Sequence, residues 1–409
     1  MEKIGLITKR KIKRIYSKKN KVKFFHKNKN NNSYDNTNIK KIDNNVNKVK
    51  IRNPGIDLVR IFSMYAIIIH HILFRGNLCN KYNQYKELIL MNISTFWLVS
   101  SYALISGYVG YKTNKYSNLL YLLICTLFYS SSITYYLNKF KPQIHTRKLK
   151  YLDFFPVIFE AYWYFTEYFG MYLFLPVINK GIEGLNKIEL RKVFFSLILI
   201  FVIVKDYLNP KSDPFKMNSG YSIIWLLICF LGGAYLGKFK HNFYGIKKII
   251  LCLACIFIFY FSTYLCFKLT IYSINDSEGY FKAKVMNILK SLFVMRISSI
   301  PMILQSFSVL LLLLEIKYNK YLAKIITFIA PLTFGTYLIH YHPIVKTTIL
   351  SYLFRKDSNY LPVKIVIKLV LFRGVKIFII CLIIDYLRHI LFTFIRIKKI
   401  CIFIEKKFL

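Results

Sequence analysis

Gly55–Phe74 reads GIDLVRIFSMYAIIIHHILF. Twenty residues rising 1.5 Å each make a helix of about 30 Å, the thickness of a bilayer's hydrocarbon core. Similar apolar runs recur to the end of the chain, and ten spans are expected: 56–74, 88–110, 118–138, 161–178, 193–209, 221–237, 247–268, 297–315, 325–345 and 374–393. The alternating strands of an outer-membrane barrel are missing, so helices must satisfy the backbone within the bilayer. The expected fold class is therefore all-α, a polytopic transmembrane helical bundle of about ten spans. Composition agrees: of 409 residues, 55% are hydrophobic, 18% aromatic and only 19% charged.

Outward from that stretch, residues 1–52 carry 17 Lys/Arg against 3 Asp/Glu, a large share of a net charge of +42. Nine asparagines fall between 28 and 47. Low hydrophobicity with like charge predicts a disordered arm. No nucleic-acid module accompanies it, so nucleic acid is not an expected partner. Anionic lipid is a better match, and a solvated tail holding the N-terminus in the cytoplasm is the plainest use. The domain reading is an arm over 1–52, a transmembrane domain over 53–397 and a basic tail over 398–409. An even number of spans then puts both termini in the cytoplasm, in a protein of the plasma membrane. The first 50 residues have no continuous apolar core, so the first span is expected to serve as an uncleaved insertion signal. Cys252 and Cys255 form a CxxC inside an apolar run, where helix packing suits them better than redox or metal chemistry.

Ionisable residues in a span are costly and default to a functional hypothesis. Asp57 and Arg60, three apart, can pair on one helical face. Arg60 and His71 are 11 residues apart, about three turns, so they share a stripe roughly 16 Å long. His70 lies about 100° round the helix from His71. The plain alternative is that Arg60 snorkels to phosphate while the histidines mark the opposite interface. Further polar segments favour a buried site. YALISGYVGYK (102–112) holds Ser106-Gly107, a small surface for close approach. YWYFTEYFGMYLFLPVIN (162–179) places Glu167 among Trp163, Tyr164, Tyr168 and Tyr172, which an interfacial aromatic belt would not explain. LTFGTYLIHYHP (332–343) adds His340 and His342 on a second histidine-bearing span.

These strings, with DPFKMNSGYSIIWL (213–226) and FLGGAYLGKF (230–239), resemble in order and spacing the acyltransferase type 3 family of membrane O-acyltransferases. The resemblance runs from about Asn53 to the tenth span and is nearest the bacterial surface-polysaccharide branch. It implies transfer of an acyl group, commonly acetyl, from acyl-CoA (acetyl-CoA) as co-substrate to a hydroxyl of a glycan, a lipid-linked saccharide or another cell-surface acceptor. No permanently bound cofactor is implied. The family's first-span Arg and His map onto Arg60 and His71, and its fourth-span tryptophan motif onto Trp163 and Tyr168. Some branches carry a glutamate where Tyr168 stands, so no carboxylate role transfers to that position. The fused esterase-like domain of some members is missing, which implies one-step transfer by the membrane domain.

The residue types suit that chemistry. Histidine, with an ordinary pKa of about 6.5, can take a hydroxyl proton, so His71 is the candidate base or transient acyl carrier. Arg60 is a candidate for a CoA phosphate or for developing negative charge. Asp57, Ser106, Trp163, Tyr168 and His340 are supporting candidates, with Tyr168 and His340 placed to donate to the carbonyl or to orient His71. No metal site is expected, because no i,i+4 histidine motif or paired carboxylate is present. The rival class is a transporter or flippase whose pathway Arg60, His71 and His340 would line. Matched broken helices or internal repeats would mark it, and none is found.

Overall fold

The computed structural model describes residues 52–76, 78, 86–113, 115–140, 154–208, 212–239, 244–275, 296–347 and 361–408. The expectations for the arm over 1–51 lie outside these residues. Among the described residues the chain is helical, with no strand. The helices are α1 (Pro54–Arg75), α2 (Lys86–Ile93), α3 (Leu98–Gly110), α4 (Tyr116–Phe140), α5 (Trp163–Gly184) and α6 (Lys187–Ile198). Through a π-helical stretch, Leu199–Val204, α6 passes into a last turn, Lys205–Leu208. Then come α7 (Ile223–Lys238), α8 (Gly245–Asn275), α9 (Ile300–Glu315), α10 (Lys320–Ile329), α11 (Thr333–His340), α12 (Val363–Phe394) and α13 (Ile397–Phe408).

Five stretches are long and apolar enough to cross a membrane: Pro54–Arg75, Lys86–Gly110, Tyr116–Phe140, Gly245–Tyr272 and Lys320–His340. Two shorter helices, α7 and α9, are also apolar. The transmembrane bundle is thus present, while the expected ten spans exceed the five that qualify by length and hydropathy. Charge explains part of the difference. The helix α12 carries Lys364, Lys368, Arg373, Lys376, Asp385 and Arg388, and α6 opens with Lys187, Glu189, Arg191 and Lys192. Large apolar side chains on α8, including Leu253, Phe257 and Tyr260, are exposed, an arrangement suited to lipid rather than water.

The central helix is α1, which packs against α3, α9, α10, α11 and α12. Its start is built locally. Asn53 caps it by accepting the Gly55 amide at 2.8 Å, and Pro54 occupies the first turn, where no N–H is needed. Asp57 in the first turn and Arg75 in the last both complement the helix dipole.

Two kinds of contact hold the surrounding helices. Between α3 and α7 the backbones touch. A Cβ on Gly107 would lie 1.9 Å from the Phe230 carbonyl oxygen, and one on Gly233 would lie 1.9 Å from that of Leu104. Gly232 instead faces the Phe194 and Phe307 rings, so Gly107, Gly233 and Gly237 make up one crossing that tolerates only hydrogen. At its far end, Lys238 donates to the carbonyls of Ile182, Glu183 and Leu185 at 2.6–2.9 Å, closing the C-terminus of α5. The second kind of contact is polar. Asp385 and Arg388 on α12 form a two-bonded ion pair, Nε–Oδ1 2.9 Å and Nη2–Oδ2 2.7 Å. From α4, Tyr129 donates to Asp385 at 2.8 Å, while Arg388 donates to the Tyr121 hydroxyl at 2.7 Å. A Cβ on Gly335 of α11 would collide with the Asp385 carboxylate, so the clip reaches a third helix.

Where a basic tail was expected over 398–409, helix α13 packs on α4 with Cys401 buried. Hydrogen bonds from the Ser117 side chain, then from the Ser117 and Tyr116 backbone, hold the Glu405 carboxyl below the usual carboxylate range. Glu405 thus caps the first turn of α4.

Candidate active site

Neighbouring histidines at the end of α1 go to different helices, as a 100° step requires. His70 turns toward α2, with Nδ1 3.0 Å from Asn92 Oδ1 and 3.3 Å from the Thr95 hydroxyl. His71 turns toward α11, where its Nδ1 lies 2.9 Å from Nε2 of His340. In turn, Nδ1 of His340 lies 2.6 Å from the Thr336 carbonyl oxygen, one turn back on the same helix. The Tyr341 ring stacks on His71 with centroids 4.4 Å apart. His342 does something else: Nε2 sits 3.3 Å from the Ser130 carbonyl and Nδ1 accepts the Ile344 amide, which ties α11's end to α4.

His71 lines two cavities. One, of about 60 Å³, is an apolar slot walled by Met64, Ile67, Val99, Tyr102, Trp163 and Tyr337. The other, of about 90 Å³, is walled in part by His70, Arg75, Thr95, Trp163, Tyr221 and Tyr341. Tyr221 also lines an open polar pocket of about 560 Å³ with Glu167, Asp213, Lys216 and Asn218. His71 and Trp163 therefore stand between the apolar slot and the second cavity, and Tyr221 lines both that cavity and the open pocket, a polar mouth.

The loop at that mouth is tightly shaped. Lys216, Asn218 and Ser219 take left-handed backbone conformations, with φ of 52°, 45° and 56°. Asp213 holds them by accepting the Met217 and Asn218 amides at 2.8 and 2.6 Å. Outside the bundle core, Lys346 lies with its Nζ 4.3 Å from the centre of the Tyr341 ring. Burial, then the nearby Arg75 charge, lowers its pKa to about 8.

At the other end of the slot, Tyr102 donates to the Arg60 carbonyl at 2.8 Å. Arg60 Nη1 meets Asp57 Oδ1 at 2.7 Å; the Asp57 side chain is fully buried and that of Arg60 is 27% exposed. Ser106 donates to the Tyr102 carbonyl at 2.9 Å and hydrogen-bonds Tyr168. The residues read from sequence therefore fall into two groups. His71, His340 and Trp163 meet at one end, and Asp57, Arg60, Ser106 and Tyr168 belong to the other. Tyr168 lines neither cavity that His71 lines.

Sequence reasoning passed over Tyr102, Tyr221, Thr336 and Tyr341. Only the position of Tyr341 between two histidines offered a signal. It also passed over Asp385 and Arg388, although both lie in an apolar run and were as costly there as Asp57 and Arg60.

No curated protein and no solved structure gave a match to this chain. An acyltransferase-domain family, by contrast, matches residues 53–388, from the cap of α1 to the arginine of the α12 clip. With several membrane-length apolar helices and that match over most of its length, the chain belongs to the acyltransferase type 3 family and is a membrane acyltransferase.

Proposed function

We propose that this protein transfers an acetyl group from acetyl-CoA to a hydroxyl of a glycan or another cell-surface acceptor. The observation that carries this reading is the position of His71 between an apolar slot and a second cavity that shares Tyr221 with the polar mouth. A small apolar slot suits a short acyl group on a thin thioester arm. A mouth lined by carboxylates, an amide and the Tyr221 ring suits a hydroxylated acceptor.

In this reading His71 takes the proton of the acceptor hydroxyl as its oxygen attacks the thioester carbonyl. The C–S bond then breaks and the proton passes to the departing CoA thiolate, giving the ester and free CoA. Arg60, near the opposite end of α1, meets the phosphates of CoA with the part of its guanidinium that Asp57 does not hold. Both termini face the cytoplasm and the chain passes the membrane ten times. Arg60 then lies on the cytoplasmic side with acetyl-CoA, and His71 toward the acceptor.

The test is transfer of labelled acetyl from acetyl-CoA by purified protein. His71→Ala should lower the rate by about 10²–10⁴-fold, with insertion and thermal transition retained. His70→Ala, which alters a residue bonded to α2, should cost less than tenfold. Full activity in His71→Ala would overturn the assignment.

A further inference from the structure

We propose that His340 is a positioning residue which holds His71 in one tautomer, so that Nε2 of His71 is the atom that takes the proton. The proposal rests on the reading of His71 as the base and names its reacting nitrogen.

The hydrogens are fixed along one chain of contacts. A carbonyl oxygen only accepts, so the 2.6 Å contact with Thr336 requires the hydrogen of His340 on Nδ1. Neutral His340 then presents a lone pair on Nε2. That atom lies 2.9 Å from Nδ1 of His71, where two lone pairs would repel. Nδ1 of His71 must therefore carry a hydrogen and donate it. Neutral imidazole has one N–H, so Nε2 of His71 is left as the lone-pair nitrogen. Among the described residues no hydrogen-bond partner takes that nitrogen, and the ring it belongs to lines both cavities.

The same contact serves the next step. When Nε2 receives the acceptor's proton, His71 becomes an imidazolium, and its Nδ1–H donates to His340 as a charge-assisted bond. The stacked Tyr341 face adds to this stabilisation. The cations facing His71 work against it: Arg75 from α1 and Lys346 from the segment after α11, with His70 as the other titratable neighbour. A neutral acceptor on the far side of the ring gives the Nδ1–H of the imidazolium a partner amid those charges. The arrangement matches the logic of a serine-hydrolase triad, with an imidazole and a helix carbonyl in place of the orienting carboxylate. No proton leaves His340. The overall change is hydroxyl plus thioester to ester plus thiol, with both histidines regenerated.

The experiment compares His340→Leu, His340→Gln and His71→Ala in the acetyl-transfer assay, alongside ¹⁵N spectra of histidine-labelled protein. A glutamine can accept from His71 with its amide oxygen and donate to Thr336 with its amide nitrogen; a leucine can do neither. His340→Leu should lose roughly 10²-fold in kcat with KM for acetyl-CoA within about twofold. His340→Gln should recover to within about tenfold of the wild type. The His71 signal, assigned by its disappearance in His71→Ala, should show the hydrogen on Nδ1 in the wild type. A wild-type signal with the hydrogen on Nε2 would overturn the proposal, even if neither His340 variant folds. So would an unchanged kcat in His340→Leu beside an inactive His71→Ala. Full activity in His71→Ala would overturn both this proposal and the reading beneath it.

Discussion

The sequence contains two Asp-x-x-Arg units inside apolar helices, Asp57–Arg60 on α1 and Asp385–Arg388 on α12, and the molecule uses them oppositely. Both aspartates are fully buried, and both pairs close within one helical turn. On α12 all three guanidinium nitrogens and both carboxylate oxygens are bonded, through two Arg–Asp bonds, a tyrosine on the carboxylate and a tyrosine on the guanidinium, and the arginine side chain is only 5% exposed. On α1 a single 2.7 Å contact joins the two, and Arg60 is 27% exposed. Spacing makes the ion pair in both cases; the neighbouring helices decide whether anything is left over to bind a ligand. A guanidinium bonded within the protein through all three nitrogens locks helices together, whereas one held through a single nitrogen can meet a phosphate.

The strongest way to break this comparison is to remove the two aspartates separately. Asp385→Ala leaves a buried arginine without its counter-charge and should cost about 3–5 kcal/mol or prevent folding. Asp57→Ala should cost clearly less, because Arg60 can reach solvent or lipid phosphate. Thermal unfolding of the two variants in one detergent reads the difference. Equal losses would mean that Asp57–Arg60 is also a clip.

A smaller effect is expected from Arg60→Lys. A point charge replaces a planar fork, so KM for acetyl-CoA should rise about tenfold, with a modest shift in the thermal transition. Initial rates across acetyl-CoA concentrations test this. A loss of stability comparable to Asp385→Ala, at unchanged KM, would move Arg60 to the structural side of the comparison.

The smallest effect calibrates both pairs with a carboxylate at the bundle's edge. Glu405→Gln removes the charge that caps α4, a change of about 0.5 kcal/mol at most once solvent screening is counted. The folded-state pKa of Glu405 is depressed, so its contribution is present above the unfolded value of about 4.3. It is lost as pH falls through the lower folded value. The gap between wild type and variant should therefore close on acidification; a gap that persists at low pH would show that the charge is not its source.

The candidate site was partly legible because the bilayer makes some residues expensive. Arg60 and His71 stood out by cost and by an 11-residue spacing, and the structure does place them along one helix. His340 stood out as a second imidazole in another span. Its contact with His71 joins residues 269 positions apart, which no local pattern encodes. The separation of His340 from His342 was likewise invisible. Two residues apart in sequence, one meets His71 and the other bonds to α4, because the helix ends between them at Tyr341.

By itself the sequence determined the helical class, the position of α1 with its Asn53–Pro54 start and the family resemblance, since these follow from local propensity, apolar length and motif order. It also offered Ser106-Gly107 as a small surface for close approach. Only the tertiary structure decided that Gly107 meets the Phe230 carbonyl and Gly233 that of Leu104, because a backbone approach depends on two helices at once. The same holds for the two Asp-x-x-Arg pairs. Identical spacing permits an ion pair in both places, but its geometry, its spare donors and the direction of a proton are set by whichever side chains other helices bring within 3 Å.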